Sequence, residues 1–264
     1  MAGKNLVTLM DQKTNKPFPK SRGLLSEKQE IWLRSLSFTI AFYGWSFLIM
    51  TISLPCLPLS RQATFECGRL WVRVTCWLLQ EITLIRHQFK GLENIPNTPV
   101  IFAVKHQSAW ETLTFLLVSK QPAFVLKREL LWVPLFGWFM WGLNMISINR
   151  RERRRSMQQL LQKARLRLTQ GRSIVIFPEG TRMPPGQTGP YHAGIAALYQ
   201  HLNVPVVPVA LNSGKYWRRK TLLKYPGTIT MEFLPPLLPG LDKQQFLSTL
   251  RQQIEAASKR LLDI

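Results

Sequence analysis

The chain has 264 residues and a formal net charge of +21, from 35 Lys and Arg against 14 Asp and Glu. A surplus of that size excludes an indifferent surface and predicts attraction to something anionic: nucleic acid, a phospholipid surface or a phosphorylated substrate. The three cysteines, Cys56, Cys67 and Cys76, make no C-x-x-C pair, and His87, His106, His192 and His201 fit no pattern such as H-E-x-x-H. The thiols read as small apolar groups in a reducing compartment, and no metal is expected.

Residues 1–30 are polar and basic and read as a flexible tail. Residues 31–83 read as a membrane-associated helical hairpin. No charge occurs from Ser35 to Ser60, and SLSFTIAFYGWSFLIMTISL is long enough to cross a hydrocarbon core, which takes about 20 residues. It lies too far from residue 1, and lacks the A-x-A exit, for a cleaved signal peptide. Pro55 and Pro58 then break the run, and Leu70, Trp71, Val74, Trp77, Leu78 and Ile82 recur at helical spacing. Basic residues flank both sides, so the positive-inside rule gives no orientation. A span and a hairpin seated in one leaflet both fit, with Trp45, Trp71 and Trp77 at headgroup level in either case; the plain alternative is a buried core hairpin.

Residues 84–264 change texture. Short apolar runs at 84–89, 99–104, 122–127, 145–149, 172–177, 206–211 and 228–233 read as strands. Amphipathic stretches at 109–119, 132–141, 152–170, 190–202 and 242–262 read as helices. The alternation predicts an α/β domain, a mostly parallel mixed sheet flanked by helices, with ligands gathered at the carboxyl ends of strands.

Strand VIFAV, residues 100–104, runs into Lys105-His106-Gln107-Ser108-Ala109-Trp110-Glu111. Ser108 to Glu111 is an S-x-x-E capping box, which starts the helix at Ser108 and leaves His106 in a turn, free to fold back on the carboxylate. The sharp reading makes His106 a general base held by Glu111; the bland one makes Ser108 and Glu111 a helix cap and His106 a loop residue. No nucleophile motif such as G-x-S-x-G is present, so the histidine would activate a substrate hydroxyl and transfer would be direct.

A second strand end follows at Phe177-Pro178-Glu179-Gly180-Thr181-Arg182. Glycine permits a sharp turn, threonine offers a hydroxyl, and arginine supplies a fork suited to phosphate. Read alone, the same letters describe a polar β-turn.

Together these stretches resemble the glycerolipid acyltransferase family that includes bacterial 1-acyl-glycerol-3-phosphate acyltransferases. The family's histidine and its acidic residue five positions on correspond to His106 and Glu111. Its short strand ending in arginine corresponds to Met145 to Arg150, its FPEGTR block is unchanged at Phe177 to Arg182, and its proline-flanked strand corresponds to Val204 to Val209. Lys127-Arg128-Glu129-Leu130, with Pro134 and Gly137, looks like the segment between the first two blocks. Three departures stand out: Lys105 where the family usually has asparagine, Glu111 where it usually has aspartate, and Tyr191-His192-Ala193-Gly194 where it often shows a lysine. His192 is therefore left out of the expected site.

The resemblance implies acyl transfer from acyl-CoA or acyl-ACP, as co-substrate with no further cofactor, to the free sn-2 hydroxyl of 1-acyl-glycerol-3-phosphate. It implies His106 and Glu111 as catalytic residues. Arg150 and Arg182 are expected on the substrate phosphate, Glu179 on a glycerol hydroxyl, and Gly180 and Thr181 along the approach. Lys105 is a candidate for the thioester oxyanion or a surface lysine. Another lysolipid acceptor, such as a lyso-ornithine lipid, fits the same blocks.

The resemblance further implies a lysophospholipid acceptor, a phospholipid membrane as partner, and a place at the bacterial inner (cytoplasmic) membrane with the site toward the cytoplasm. Leu130 to Ile146 is uncharged and aromatic, as an acyl-chain groove or a buried helix would be. The basic groups Arg150 to Arg155 and Lys215 to Lys224 would then hold the domain against anionic lipid, at about 1 kcal/mol per residue. The rival from another class is a nucleic-acid-binding protein, but no RNP1-like, zinc-finger or helix-turn-helix pattern occurs, and no nucleic acid is expected.

Overall fold

A computed structural model of the chain describes residues 26–149 and 152–263, without the side chain of Arg153. Helix α1 (Glu27–Ile52) opens on a capping box in which the Ser26 side chain and Gln29 satisfy each other's backbone amides, with Glu27 and Glu30 in the first turn. It ends before Leu54-Pro55, where proline restricts the preceding residue away from helix. A one-turn helix, Cys56–Leu59, makes the tip. Helix α2 (Arg61–Thr83), capped by Ser60, returns along α1. The start of α1 at Glu27 lies inside the stretch expected to be tail.

The hairpin is pinned to itself and to the rest of the chain. The indole of Trp45 donates to the Trp71 carbonyl at 3.1 Å, and that of Trp71 to Ser46 Oγ at 2.9 Å. These two tryptophans therefore spend their N–H groups inside the hairpin rather than at headgroups, and of the three only Trp77 is exposed. At the tip, a Leu57 methyl lies 2.8 Å from where a Cβ on Gly142 would stand, so a larger residue at 142 would push that side chain aside.

Seven strands follow as expected: β1 (Ile85–Lys90), β2 (Ile101–Val104), β3 (Ala123–Lys127), β4 (Ile146–Ile148), β5 (Ile174–Ile176), β6 (Val206–Leu211) and β7 (Gly227–Phe233). They form one sheet in the order β1-β7-β6-β2-β5-β3-β4. The run β6-β2-β5-β3-β4 is parallel throughout, whereas β7 is antiparallel to β6 and carries β1 with it. The carboxyl ends of five strands thus share one edge.

Both faces of the central strands are covered, which is why they read as continuous apolar runs. Phe102, Val104, Val175, Val207 and Val209 point to the face under the hairpin and α3 (Trp110–Val118). Ile101, Ala103, Ile174, Ile176 and Val206 point to the face covered by α5 (Arg153–Thr169), α6 (Ala193–Leu202) and α7 (Lys243–Leu262). Each fully buried Phe, Leu or Val of this kind is worth about 1.5–3 kcal/mol relative to exposure. His87 belongs to the same interior: it lies on β1 against Phe89 and Trp110, and burial lowers its pKa to about 4.

The helix expected over 132–141 is shorter and starts later than expected. Residues Arg128–Trp132 form a 3-10 turn, and α4 (Phe136–Gly142) begins only after Pro134. Lys224, expected in a surface basic group, is 4% exposed: its ammonium lies over the rings of Phe38 and Trp217 and donates to Thr39 Oγ1 and the Leu222 carbonyl. It clamps α1 to the loop before β7.

Candidate active site

The shared edge of the sheet brings the two sequence blocks together. β2 delivers Lys105 and His106; β5, paired Ala103 to Ile176, delivers Phe177 to Arg182; β6 delivers Ser213 from the turn after Leu211. Gly180 sits at φ 63°, and its amide bonds back to the Phe177 carbonyl at 2.9 Å. This left-handed turn is the conformational reason for glycine in FPEGTR. The Met183 amide then donates to the His106 carbonyl at 2.8 Å, fastening one loop to the other.

His106 folds back on Glu111 as the turn allows. Its Nδ1 lies 2.9 Å from Glu111 Oε1, and its ring stacks on Phe177 with centroids 4.1 Å apart. Nε2 has no hydrogen-bond partner among the described residues, and the side chain lines a cavity. The helix starts one residue later than expected. Ala109 is the residue before α3, and Ser108 Oγ accepts from the Trp110 amide instead of the Glu111 amide. Glu111 still reaches back as a capping-box acid does.

Its oxygen Oε1 takes the amides of Gln107 and Ser108, both at 2.7 Å, together with His106. Oxygen Oε2 takes the hydroxyls of Ser108 and Ser213 at 2.8 and 2.9 Å. Capping the helix and holding the imidazole are therefore one arrangement, shared on a single oxygen, and not competing roles for the longer side chain. Full burial pushes the Glu111 carboxyl up, but the hydrogen bond and charge of His106 and the Ser108 amide outweigh it and hold the pKa below the usual carboxylate value.

Glu179 does not offer the free oxygen expected for a glycerol hydroxyl. It is 1% exposed; Oε1 accepts from Lys105 Nζ at 2.7 Å and the Gly189 amide at 3.2 Å, and Oε2 accepts from the His106 amide at 3.2 Å. Lys105 is likewise neither a surface lysine nor directed at the cavity. It is 1% exposed and paired with carboxylates. Thr181 is exposed, Gly180 and Arg182 line the cavity, and the Arg182 carbonyl accepts from Arg219 Nη1 at 2.8 Å. Arg150 lies outside the described residues.

The cavity holds about 790 Å³, within the range of ligand sites. Its polar lining includes His106, Arg182, His192 and Lys127; His192 and Lys127 were not expected there. In the sequence Lys127 ends a strand and opens the segment likened to the family's, and His192 precedes a helix where the family often shows a lysine. Away from these, the walls are apolar: Leu113 and Leu116 of α3, Phe124 of β3, Phe136 and Met140 of α4, and Trp71 of the hairpin. A base with a free nitrogen, a cation and a long greasy wall in one cavity can bind an amphiphile that carries an anionic group and deprotonate its hydroxyl.

The sequence model of the Acyltransferase family matches residues 86–212. The chain is 36% identical over 227 residues to a 1-acyl-sn-glycerol-3-phosphate acyltransferase of Pseudomonas aeruginosa, covering 85% of this chain and 88% of that protein. It is 27% identical to the mouse 1-acyl-sn-glycerol-3-phosphate acyltransferase alpha, over 78% of this chain and 75% of that one. The fold is similar to the crystal structure of a 1-acyl-sn-glycerophosphate acyltransferase from Thermotoga maritima, with a TM-score of 0.73 and 20% identity over 88% of this chain and 97% of that one.

Proposed function

Because the chain belongs to the Acyltransferase family, we propose that it transfers a fatty acyl group from a thioester to the free sn-2 hydroxyl of 1-acyl-glycerol-3-phosphate, giving phosphatidic acid. The observation that carries this reading is the His106–Glu111 pair, with Nε2 unoccupied, on a cavity whose lining combines basic side chains with extensive apolar wall. The thioester is carried on coenzyme A or acyl carrier protein, and no other cofactor takes part.

Glu111 accepts the Nδ1 proton of His106 and so fixes the tautomer with a lone pair on Nε2. As the acceptor oxygen attacks the thioester carbonyl, Nε2 takes the hydroxyl proton, and the buried carboxylate stabilises the imidazolium. Collapse of the tetrahedral adduct forms the ester and expels the thiolate, which takes the proton back from Nε2. His106 ends as it began, and no acyl-enzyme forms.

Arg182 receives the acceptor phosphate, with Arg150 proposed beside it. Glu179 acts behind the site by holding the His106 amide. Charge-assisted hydrogen bonds to phosphate are worth about 1.5–3 kcal/mol, so Arg182→Ala should raise KM for the phosphorylated acceptor about tenfold or more with a smaller effect on kcat. An unchanged KM in steady-state assays removes Arg182 from the phosphate.

The apolar walls take the acyl chain. Leu116 lines both the cavity and the small pocket that continues beneath the hairpin. Leu116→Trp should lower kcat/KM for long-chain thioesters by about tenfold relative to short ones, since each misfitted methylene costs about 1–3 kcal/mol. Competition between chain lengths, read by mass spectrometry of the product, checks this.

The hairpin seats the protein in one leaflet. Helix α1 is long and apolar enough to span, with only 22% of its apolar window buried. Its whole length nonetheless lies along the domain: Ser35 Oγ accepts from the Lys224 amide near its start, and the tip packs on α4 at Gly142. A span would carry that tip away from α4. The outer face of α1, with Ile40, Tyr43, Phe47 and Ile52, together with Trp138 and Trp141 of α4 and Trp132 just before it, is exposed and forms the lipid-facing surface. Both donors are cytoplasmic, so the seat is on the cytoplasmic face of the inner membrane.

An assay of purified protein tests the function, pairing lysophosphatidic acid and a lyso-ornithine lipid with acyl-CoA and acyl-ACP. Phosphatidic acid from at least one donor is the expected product. Turnover of the lyso-ornithine lipid alone, or of neither acceptor, contradicts it.

A further inference from the structure

Lys105 directs its side chain away from the cavity into the protein, where its ammonium meets three acceptors for its three N–H bonds. These are Glu179 Oε1 at 2.7 Å, the Glu255 carboxylate at 2.8 Å to each oxygen, and the Gln187 carbonyl at 3.0 Å. Glu255 stands on α7, 150 residues from Lys105 in sequence. It also accepts from Tyr191 Oη at 3.1 Å and Thr188 Oγ1 at 3.0 Å. Glu179, on the far side of the ammonium, accepts the His106 amide.

One lysine therefore joins the loop after β2, the loop after β5 and the C-terminal helix, directly behind the histidine that the proposed chemistry uses. Arg251, one turn before Glu255 on α7, faces Tyr191, whose phenol is held above its usual pKa by burial and by Glu255 and Glu179, so it remains a donor. His106 and Glu111 complete the ionisable groups around the junction.

We propose that Lys105, Glu179 and Glu255 are positioning residues, an ion-paired junction through which the C-terminal helix α7 sets the place of His106. This rests on His106 being the base. Two carboxylates share one ammonium, so each depends on it. Without Lys105, the buried Glu179 and the part-buried Glu255 are left close together as like charges, which disfavours ionisation of both until one takes up a proton. The Glu179 oxygen that holds the His106 amide then moves, and the imidazole loses its register with the acceptor hydroxyl.

Two measurements test this, one of them independent of the reaction. Hydrogen exchange of the peptide spanning residues 101–112, followed by mass spectrometry on the full chain in detergent, should show faster exchange at the His106 amide in Lys105→Met than in wild type. In lysophosphatidic acid acylation, Lys105→Met should lower kcat about tenfold or more near pH 8 with little change in KM, and its ratio to wild type should improve as pH falls toward about 6.

Adding Glu255→Gln to Lys105→Met removes one of the two repelling charges. The double variant should be several-fold more active than the single one near pH 8, about the rise that relief of one buried like-charge contact gives. A merely structural loss would only deepen on the second substitution. Should Lys105→Met fail to fold, Glu255→Ala serves instead: alanine keeps the helix, and the same faster exchange at His106 with a lower kcat is expected. Unchanged exchange in a folded variant, or a double variant no better than Lys105→Met, overturns the proposal. If wild type does not acylate lysophosphatidic acid, the proposed function fails while the exchange measurement still decides the junction.

Discussion

Replacing His106 by alanine is expected to lower kcat for lysophosphatidic acid acylation by about 10³-fold, within the 10²–10⁴-fold that a positioned general base contributes. The side chain is only 13% exposed, and what it touches, Glu111 and Phe177, belongs to the site. Its removal leaves the backbone bonds of residue 106 to Glu179 and Met183 in place. The hairpin, which carries the proposed lipid-facing surface, is not in contact with it through any hydrogen bond among the described residues. Vesicle binding and thermal stability should therefore stay close to wild type while turnover is lost. Turnover within a few-fold of wild type removes His106 from the chemistry, whatever the membrane binding shows.

The second large effect is expected at Glu111, and here two substitutions separate two roles. Every partner of this carboxylate is a donor: the imidazole, two amides and two hydroxyls. Glutamine keeps an acceptor oxygen for the imidazole and the amides, and turns its NH2 toward Ser108 and Ser213, whose hydroxyls can rotate to accept. The cap survives, but the charge that stabilises an imidazolium does not. Glu111→Gln should fold and lose about 10²-fold in kcat, about 3 kcal/mol of transition-state stabilisation.

Glu111→Asp keeps the charge and shortens the reach by one methylene, so it should be more active than the glutamine variant and less stable than wild type. Equal activity of Glu111→Gln and wild type would reduce the carboxylate to a helix cap. The held-down pKa of Glu111 adds a sign. Its stabilising contribution is complete above the unfolded carboxyl pKa and is lost as pH falls through the lower folded value, so acid unfolding of wild type should be steeper than that of Glu111→Gln.

The strands were legible because the central sheet is buried on both faces, so Ile101 to Val104, Ile174 to Ile176 and Val206 to Leu211 stand out as unbroken apolar runs. Helix starts were less legible. α6 begins at Ala193 rather than 190, and α3 begins after Ala109, because proline and the pull of the Glu111 carboxylate on the preceding amides decide these ends locally. The hairpin could be read from the uncharged stretch and its prolines, but its packing on the rest of the chain could not, since Leu57 meeting Gly142 and Ser35 meeting Lys224 are tertiary contacts.

His106 and Glu111 were readable because they are neighbours on the chain and form a local turn. Ser213, which bonds Glu111 across 102 residues, carried no signal. Lys105 and Glu179 misled for the same reason. Each looked like an available polar group at a strand end, and each proved to be spent on a buried ion pair: Lys105 binds Glu179 and also Glu255, which only the docking of α7 brings near. In FPEGTR, Gly180 makes the expected turn in the left-handed region and Arg182 lines the cavity, while Glu179 is turned inward on Lys105 and the His106 amide.

Direct transfer without an acyl-enzyme is tested most plainly by withholding the acceptor. Purified protein is mixed with a labelled acyl thioester, with and without lysophosphatidic acid; released thiol is followed over time and the intact mass of the protein is recorded. The predicted result is no acyl adduct on the protein and negligible thiol release until the acceptor is added, then thiol and phosphatidic acid in equal amounts. A stoichiometric acyl-protein formed without acceptor would contradict a histidine base acting on the substrate hydroxyl.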